Sequence, residues 1–168
     1  PYPELVKQIV NQVSDSAVIN YSIKCRLGYI SKDEIDQLIP LFNQAGLSEL
    51  IVHARIGKQL YNGLPDWEKF GLIRHEINPE LSYNGDIFSV EAFRKISSQY
   101  PGIHRWMLGR GLLANPFLAM DIKQPDLIAN TEERLQTVKL FVQELYYLRR
   151  KQSNDNLSTL GRMKELWS

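Results

Sequence analysis

Tyr83-Asn84-Gly85-Asp86-Ile87 and its echo Leu108-Gly109-Arg110-Gly111 are the stretches that decide the fold. Each is a short apolar run that stops abruptly at glycine beside a polar or charged residue, and a helical pattern follows. A buried parallel strand delivers a functional loop at its C-terminal end in this way. Two such ends in succession, one with Asn and Asp and the other with Arg between two glycines, point to a site for a phosphorylated ligand.

The same alternation recurs outward from these ends. Glu80 to Tyr83 reads as a strand, and Ser89 caps the helix after it, which carries Val90, Phe93 and Ile96. Arg105 to Leu108 reads as the next strand, and Asn115-Pro116 opens a short helix with Pro at its first position. Upstream, Leu50-Ile51-Val52 is a strand ending at His53-Ala54-Arg55. A loop from Ile56 to Pro65 then leads to a helix capped by Asp66, with Trp67, Phe70, Ile73 and Ile77. Ala17 to Cys25 is a strand that ends at Gly28. Ser31 and Glu34 form a capping box for a helix along Ile35, Leu38, Ile39, Phe42 and Ala45, closed by Gly46 and kinked by Pro40. Glu4 to Val13 is an amphipathic helix.

Four strands alternating with helices at roughly 25–30 residue spacing give the βα unit length. This predicts an α/β fold with a parallel sheet and right-handed crossovers. After Lys123 the pattern changes to a long helix from Asn130, striped by Leu135, Val138, Phe141, Val142, Leu145 and Leu148 and ending in Arg149-Arg150-Lys151. A last helical segment carries Leu160, Met163, Leu166 and Trp167.

The 168 residues are 43% hydrophobic and 23% charged, which places the chain among ordinary globular domains. With a formal net charge of +1, only the distribution of charge can select a partner. One cysteine leaves no intrachain disulfide and fits a reducing compartment. No apolar run nears the ~18 residues of a membrane span. The chain opens Pro1-Tyr2-Pro3 without Met, as a fragment would.

Alternate residues of a strand share a face. Lys24 and Arg26 therefore point one way and Cys25 the other, while His53 pairs with Arg55 and Asn84 with Asp86. Lys24, Arg26, Arg55 and Arg110 put four cations at one rim, where barrels and open α/β sheets build their sites. Taken singly, each has a plainer reading: Asn-Gly and Gly-Asp are common turn pairs, Lys24 a surface lysine, His53 a hydrogen-bonded structural histidine. Their joint appearance on four consecutive strand ends favours a site. Cys25 reads as a small buried apolar residue rather than a nucleophile. His75 and His104 fall away from the rim, and no zinc spacing, Walker loop, G-x-S-x-G elbow or G-x-G-x-x-G fingerprint is present. The tryptophans read as core anchors.

These residues also carry a resemblance. Ile23 to Gly28 resembles the K-x-R-x-G strand of the tRNA-dihydrouridine synthases, and Leu50 to Arg55 their V-H-x-R segment. Gln59 to Trp67 is similar to Q-x-Y-x-G-x-x-D-W, Tyr83 to Ile87 to N-G-D-I, and Met107 to Pro116 to M-x-G-R-G-x-x-x-N-P. Gly161 to Trp167 resembles the start of a helix in the family's C-terminal helical domain. Cys25 departs from the aliphatic residue usual there.

The resemblance implies the C-terminal half, strands five to eight, of a (β/α)8 TIM barrel, followed by an α-helical domain. Residues 1–123 would be half of the flavin-binding catalytic domain and 124–168 the start of a tRNA-binding domain. The implied activity is FMN-dependent, NADPH-driven reduction of specific tRNA uridines to 5,6-dihydrouridine, in the cytoplasm. The family's proton-donor cysteine belongs to a barrel loop that these residues do not include, so the fragment itself is expected to be inactive. Lys24, His53, Asn84, Gly85, Asp86, Gly109 and Arg110 correspond to the flavin contacts. Arg26 and Arg55 correspond to residues facing the RNA, and Arg149, Arg150, Lys151, Arg162 and Lys164 to tRNA contacts. No metal and no membrane are implied, and a half barrel, with its exposed sheet edges, is expected either to pair with another half barrel or to be marginally stable. Two alternatives stay open: another FMN barrel acting on a small molecule, and an RNA-binding or assembly fragment without activity.

Overall fold

The computed structural model describes residues 2–15, 20–125, 131–152, 161 and 163. In chain order the elements are α1 (Tyr2–Asp15), β1 (Ser22–Gly28), a 3-10 helix (Lys32–Gln37), α2 (Ile39–Gln44), β2 (Glu49–Ile56), α3 (Trp67–Ile73), β3 (Leu81–Asn84), α4 (Val90–Gln99), β4 (Arg105–Met107), α5 (Arg110–Ala114), α6 (Leu118–Lys123) and α7 (Thr131–Lys151). The four strands form one parallel sheet in the order β1-β2-β3-β4. A doubly wound sheet reverses its strand order at a switch point. This one steps in a single direction, as an arc of a barrel does.

Register divides the sheet into two chemically different faces. Lys24 lies beside Ile51 and Arg26 beside His53; Ile51 in turn lies beside Ser82, and His53 beside Asn84. These residues share one face, together with Arg105 and Met107 of β4, and it is polar except for Ile51 and Met107. At its N-terminal end Ser82 donates to Glu49, and Arg105 reaches Glu49 at 3.7 Å and Glu80 at 3.8 Å. The opposite face carries Leu50, Val52, Ala54 and Tyr83, all fully buried. Phe70 of α3 meets Tyr83 edge-on at 4.9 Å, and Trp106 lies 5.5 Å from Tyr83 and 5.2 Å from Phe93. Hydrophobic burial and edge-to-face aromatic contacts thus hold the helices to that face. Trp67 donates its Nε1–H to the Tyr83 hydroxyl at 2.9 Å, so its polar tip is satisfied.

Local chemistry explains the element boundaries. Ser31 and Glu34 form the expected capping box, but over a 3-10 helix. The chain breaks at Leu38, and Pro40 falls in the first turn of α2, where its missing N–H costs nothing. Two short helices therefore replace the expected single kinked one. Asp66 and Ser89 cap α3 and α4 as expected. Pro116 does not open a helix. The Asn115 side chain accepts from the Phe117 N–H at 3.0 Å, which turns the chain, and α6 starts at Leu118. α5, directly after β4, has no counterpart in the sequence reading.

The chain separates into two compact units, Pro1–Gly111 and Leu112–Ser168. That division falls before the 123/124 boundary drawn from the resemblance. In the second unit Arg134 of α7 pairs with both oxygens of Asp121 in α6 and lies 5.0 Å over the Phe117 ring. Trp167 lies outside the described residues.

Candidate functional site at the strand ends

The C-terminal ends of β1, β2 and β3 and the residues after β4 place the expected rim residues together within the first unit. β2 runs on through His53 and Arg55 to Ile56, but its register with β1 slips between the Arg26/His53 and Gly28/Ile56 pairs, so Arg55 lies at an irregularity of the ladder. Lys24 is exposed. His53 is only 6% exposed. Burial, and then the charges of Arg26, Lys24 and Arg55, push its imidazole down to about 4, so it is neutral at pH 7. A neutral imidazole can donate or accept a hydrogen bond without adding charge to the rim.

Arg55 is 0% exposed, and the structure turns it away from solvent. Its Nη1 and Nη2 donate to the two oxygens of Asp86 at 2.7 and 2.6 Å, and Nη2 also reaches the Gly63 carbonyl. Its Nε is buried without a partner among the described residues. Asp86 is also bonded by Arg110, whose Nη2 lies 2.7 Å from Oδ1. The Arg55 hydrogen bonds, followed by the charges of Arg55 and Arg110, hold the Asp86 carboxyl below the usual carboxylate range. Arg26 is likewise engaged, donating to the carbonyls of Ile56 and Leu60 at 2.8 Å each. The two arginines expected to face RNA thus both hold the loop after β2.

That loop supplies residues the sequence reading left out of the site. Gln59 braces it through the carbonyls of Asn62 and Leu64, and Leu60 and Gly63 adopt positive φ of 52° and 66°. The brace presents Tyr61 to the rim. Its ring lies under the Arg110 guanidinium at 4.0 Å and under that of Arg26 at 5.5 Å, and 6.2 Å from the His53 ring. Phe88 lies 5.4 Å from the same Arg110 group. The available signal was that Tyr61 is the tyrosine of the Q-x-Y-x-G-x-x-D-W stretch from Gln59 to Trp67.

Asn84 donates to the Met107 carbonyl at 2.8 Å, tying β3 to β4. Gly85 has no room for a side chain, since a Cβ there would run into the Tyr83 hydroxyl. At Gly109 a Cβ would meet nothing within 4 Å, so the space before α5 is open. Open space at Gly109 and a half-exposed Arg110 fixed on one edge make a fitting place for a phosphate. Arg110 supplies charge-assisted donors there. Cys25, on the other face, has its thiol pushed up to about 12 by burial and is not a nucleophile at neutral pH.

Arg149, Arg150 and Lys151 are exposed at the end of α7. Arg162 and Lys164 lie outside the described residues. Among the described residues, no group of three or more His, Cys, Asp or Glu could hold a metal ion, and no helix is long and apolar enough to cross a membrane.

Comparison with known proteins agrees with the motifs at the rim. The model of the dihydrouridine synthase family matches residues 1–167. The chain is 30% identical over 119 residues to tRNA-dihydrouridine synthase B of Pasteurella multocida, a match covering 70% of this chain and 35% of that protein. It is 35% identical over 124 residues to tRNA-dihydrouridine(16) synthase of Neisseria meningitidis serogroup B, covering 73% and 37%. With tRNA-dihydrouridine(16) synthase of Escherichia coli O157:H7 it shares 29% identity over 158 residues, covering 88% and 50%. The chain therefore spans half or less of the length of these relatives. A parallel four-stranded α/β arc, rim motifs on successive strand ends and a family match over nearly every residue lead to one conclusion: the chain belongs to the dihydrouridine synthase family.

Proposed function

We propose that this chain forms part of an enzyme that reduces uridines in tRNA to 5,6-dihydrouridine, with FMN as cofactor and NADPH as electron donor. The observation that carries the reading is the convergence of Lys24, His53, Asn84 and Arg110 at one rim, on a chain of this family. In this reading β1 to β4 are barrel strands five to eight. Residues 1–123 belong to the flavin-binding domain and 124–168 to a helical tRNA-binding domain, and the setting is the cytoplasm, where tRNA is found.

Lys24, His53, Asn84, Gly85, Asp86, Gly109 and Arg110 form the flavin side. Loops after barrel strands seven and eight commonly hold phosphate, and Arg110 and Gly109 occupy that position. Bound and reduced, FMN supplies the hydride for the uridine ring. The exposed ammonium of Lys24 stabilises negative charge on the flavin ring, and neutral His53 hydrogen-bonds beside it. Arg26 and Arg55 serve the RNA side through the loop they hold. Arg149, Arg150, Lys151, Arg162 and Lys164 pair with tRNA phosphates, and phosphate contacts of this kind position an RNA without reading its sequence.

The test is to incubate the complete enzyme of which this chain forms part with FMN, NADPH and unmodified tRNA and to read uridines by mass spectrometry. A gain of two hydrogens that needs both FMN and NADPH supports the reading. Flavin binding with unaltered tRNA would overturn the assignment of substrate.

A further inference from the structure

We propose that Asp86 is a positioning residue, locked by the buried Arg55, that aims Arg110 at the flavin phosphate and does not itself touch the phosphate. The inference rests on the FMN reading above. A carboxylate at a phosphate grip is electrostatically out of place, because it repels the dianion. The hydrogen bonds give it another task. Asp86 Oδ1 accepts from Arg55 Nη1 and from Arg110 Nη2, each at 2.7 Å, and Oδ2 accepts from Arg55 Nη2 at 2.6 Å. Both oxygens are thus occupied by guanidinium donors.

Arg55 cannot move aside. It is 0% exposed, and its Nη2 is also bonded to the Gly63 carbonyl. It therefore fixes the plane of the Asp86 carboxylate. Arg110, by contrast, is 41% exposed and would sample many rotamers if free. Asp86 pins one of its edges while Tyr61 covers its face at 4.0 Å. A guanidinium has five donors in a rigid plane, so fixing one edge and one face aims the remaining donors. Arg55 also anchors Gly63, in the same loop as Tyr61. One buried arginine therefore fixes the carboxylate that holds Arg110 and helps to anchor the loop that carries the Tyr61 ring. Such preorganisation strengthens binding by removing the ordering cost from the binding step.

Asp86→Asn separates this role from a purely electrostatic one by sign. If Asp86 acts only through its charge, neutralising it tightens an anionic ligand. If it positions Arg110, the same change loosens that ligand. Riboflavin, which lacks the phosphate, is the control. Flavin fluorescence quenching on the 168-residue chain gives both affinities, and circular dichroism reads folding separately. The expected result is an FMN affinity about tenfold weaker in Asp86→Asn with riboflavin unchanged, and little further loss when Arg110→Ala is added. If Asp86→Asn fails to fold, Arg55→Met combined with Asp86→Leu removes both charges together and carries the same expectation. Unchanged or tighter FMN binding, equal losses for both flavins, or additive effects of Asp86→Asn and Arg110→Ala would overturn the proposal. If the unsubstituted chain binds riboflavin and FMN equally, or neither, the FMN reading fails and this inference falls with it.

Discussion

Arg55 and Asp86 come from neighbouring strand ends, 31 residues apart in the chain, and form a two-pronged pair at 2.7 and 2.6 Å with Arg55 wholly buried. Removing Arg55 leaves Asp86 with Arg110 as its one remaining cationic partner among the described residues. Arg55→Ala is therefore expected to destabilise the first unit by about 3 kcal/mol, the low end for a broken buried pair, because Asp86 keeps some solvent contact. Urea denaturation at constant slope measures this. Arg55→Met with Asp86→Leu should recover most of the loss.

Gly85 is constrained by sterics rather than by charge. A Cβ at this position collides with the Tyr83 hydroxyl, which is fully buried and bonded to Trp67. Gly85→Ala must displace Tyr83 from the Phe70 and Trp106 rings. The expected loss is about 1–3 kcal/mol, in the range of an overpacked core, and the urea midpoint checks it.

His53 makes the rim sensitive to acid. Its folded-state value of about 4 lies below the unfolded value of 6.5. Between these values the unfolded chain binds the proton and the folded chain does not, so stability rises with pH across that window. The contribution is fully present above about 6.5 and is lost as pH falls through about 4. Imidazole titration by NMR should show His53 still neutral at pH 5.5. A midpoint near 6.5 would contradict the burial and charge environment described here.

The strand ends were legible because each motif is local. An apolar run, a glycine and a polar residue specify a strand terminus whatever surrounds them, and Asp66 and Ser89 announce their helices through side-chain caps. Arg55 was not legible. A strand-end arginine looks like a rim cation, and only the fold shows that Asp86 and the Gly63 carbonyl engage its Nη1 and Nη2. Tyr61 was missed for a related reason. Its position depends on the Gln59 brace and on the Arg26 bonds to Ile56 and Leu60, which close a loop whose own sequence has no regular period. At Pro116 the local rule gave the wrong start, because the Asn115 side chain made the turn first.

The basic end of α7 yields a prediction about RNA. Arg149 and Arg150 are exposed beside Lys151. If they contact tRNA phosphates, tRNA affinity falls steeply with salt, and Arg149→Ala with Arg150→Ala lowers the salt slope by about 2. Filter binding across a salt series reads the slope. An unchanged slope would remove these residues from the interface.

The central claim is that the rim formed by the ends of β1 to β4 holds the phosphate of FMN. Equilibrium binding of FMN and riboflavin to the chain, with and without Arg110→Ala, tests it most directly. The account predicts FMN bound more tightly than riboflavin, with that preference abolished by Arg110→Ala. Equal affinity for the two flavins, or a preference that survives Arg110→Ala, would contradict it.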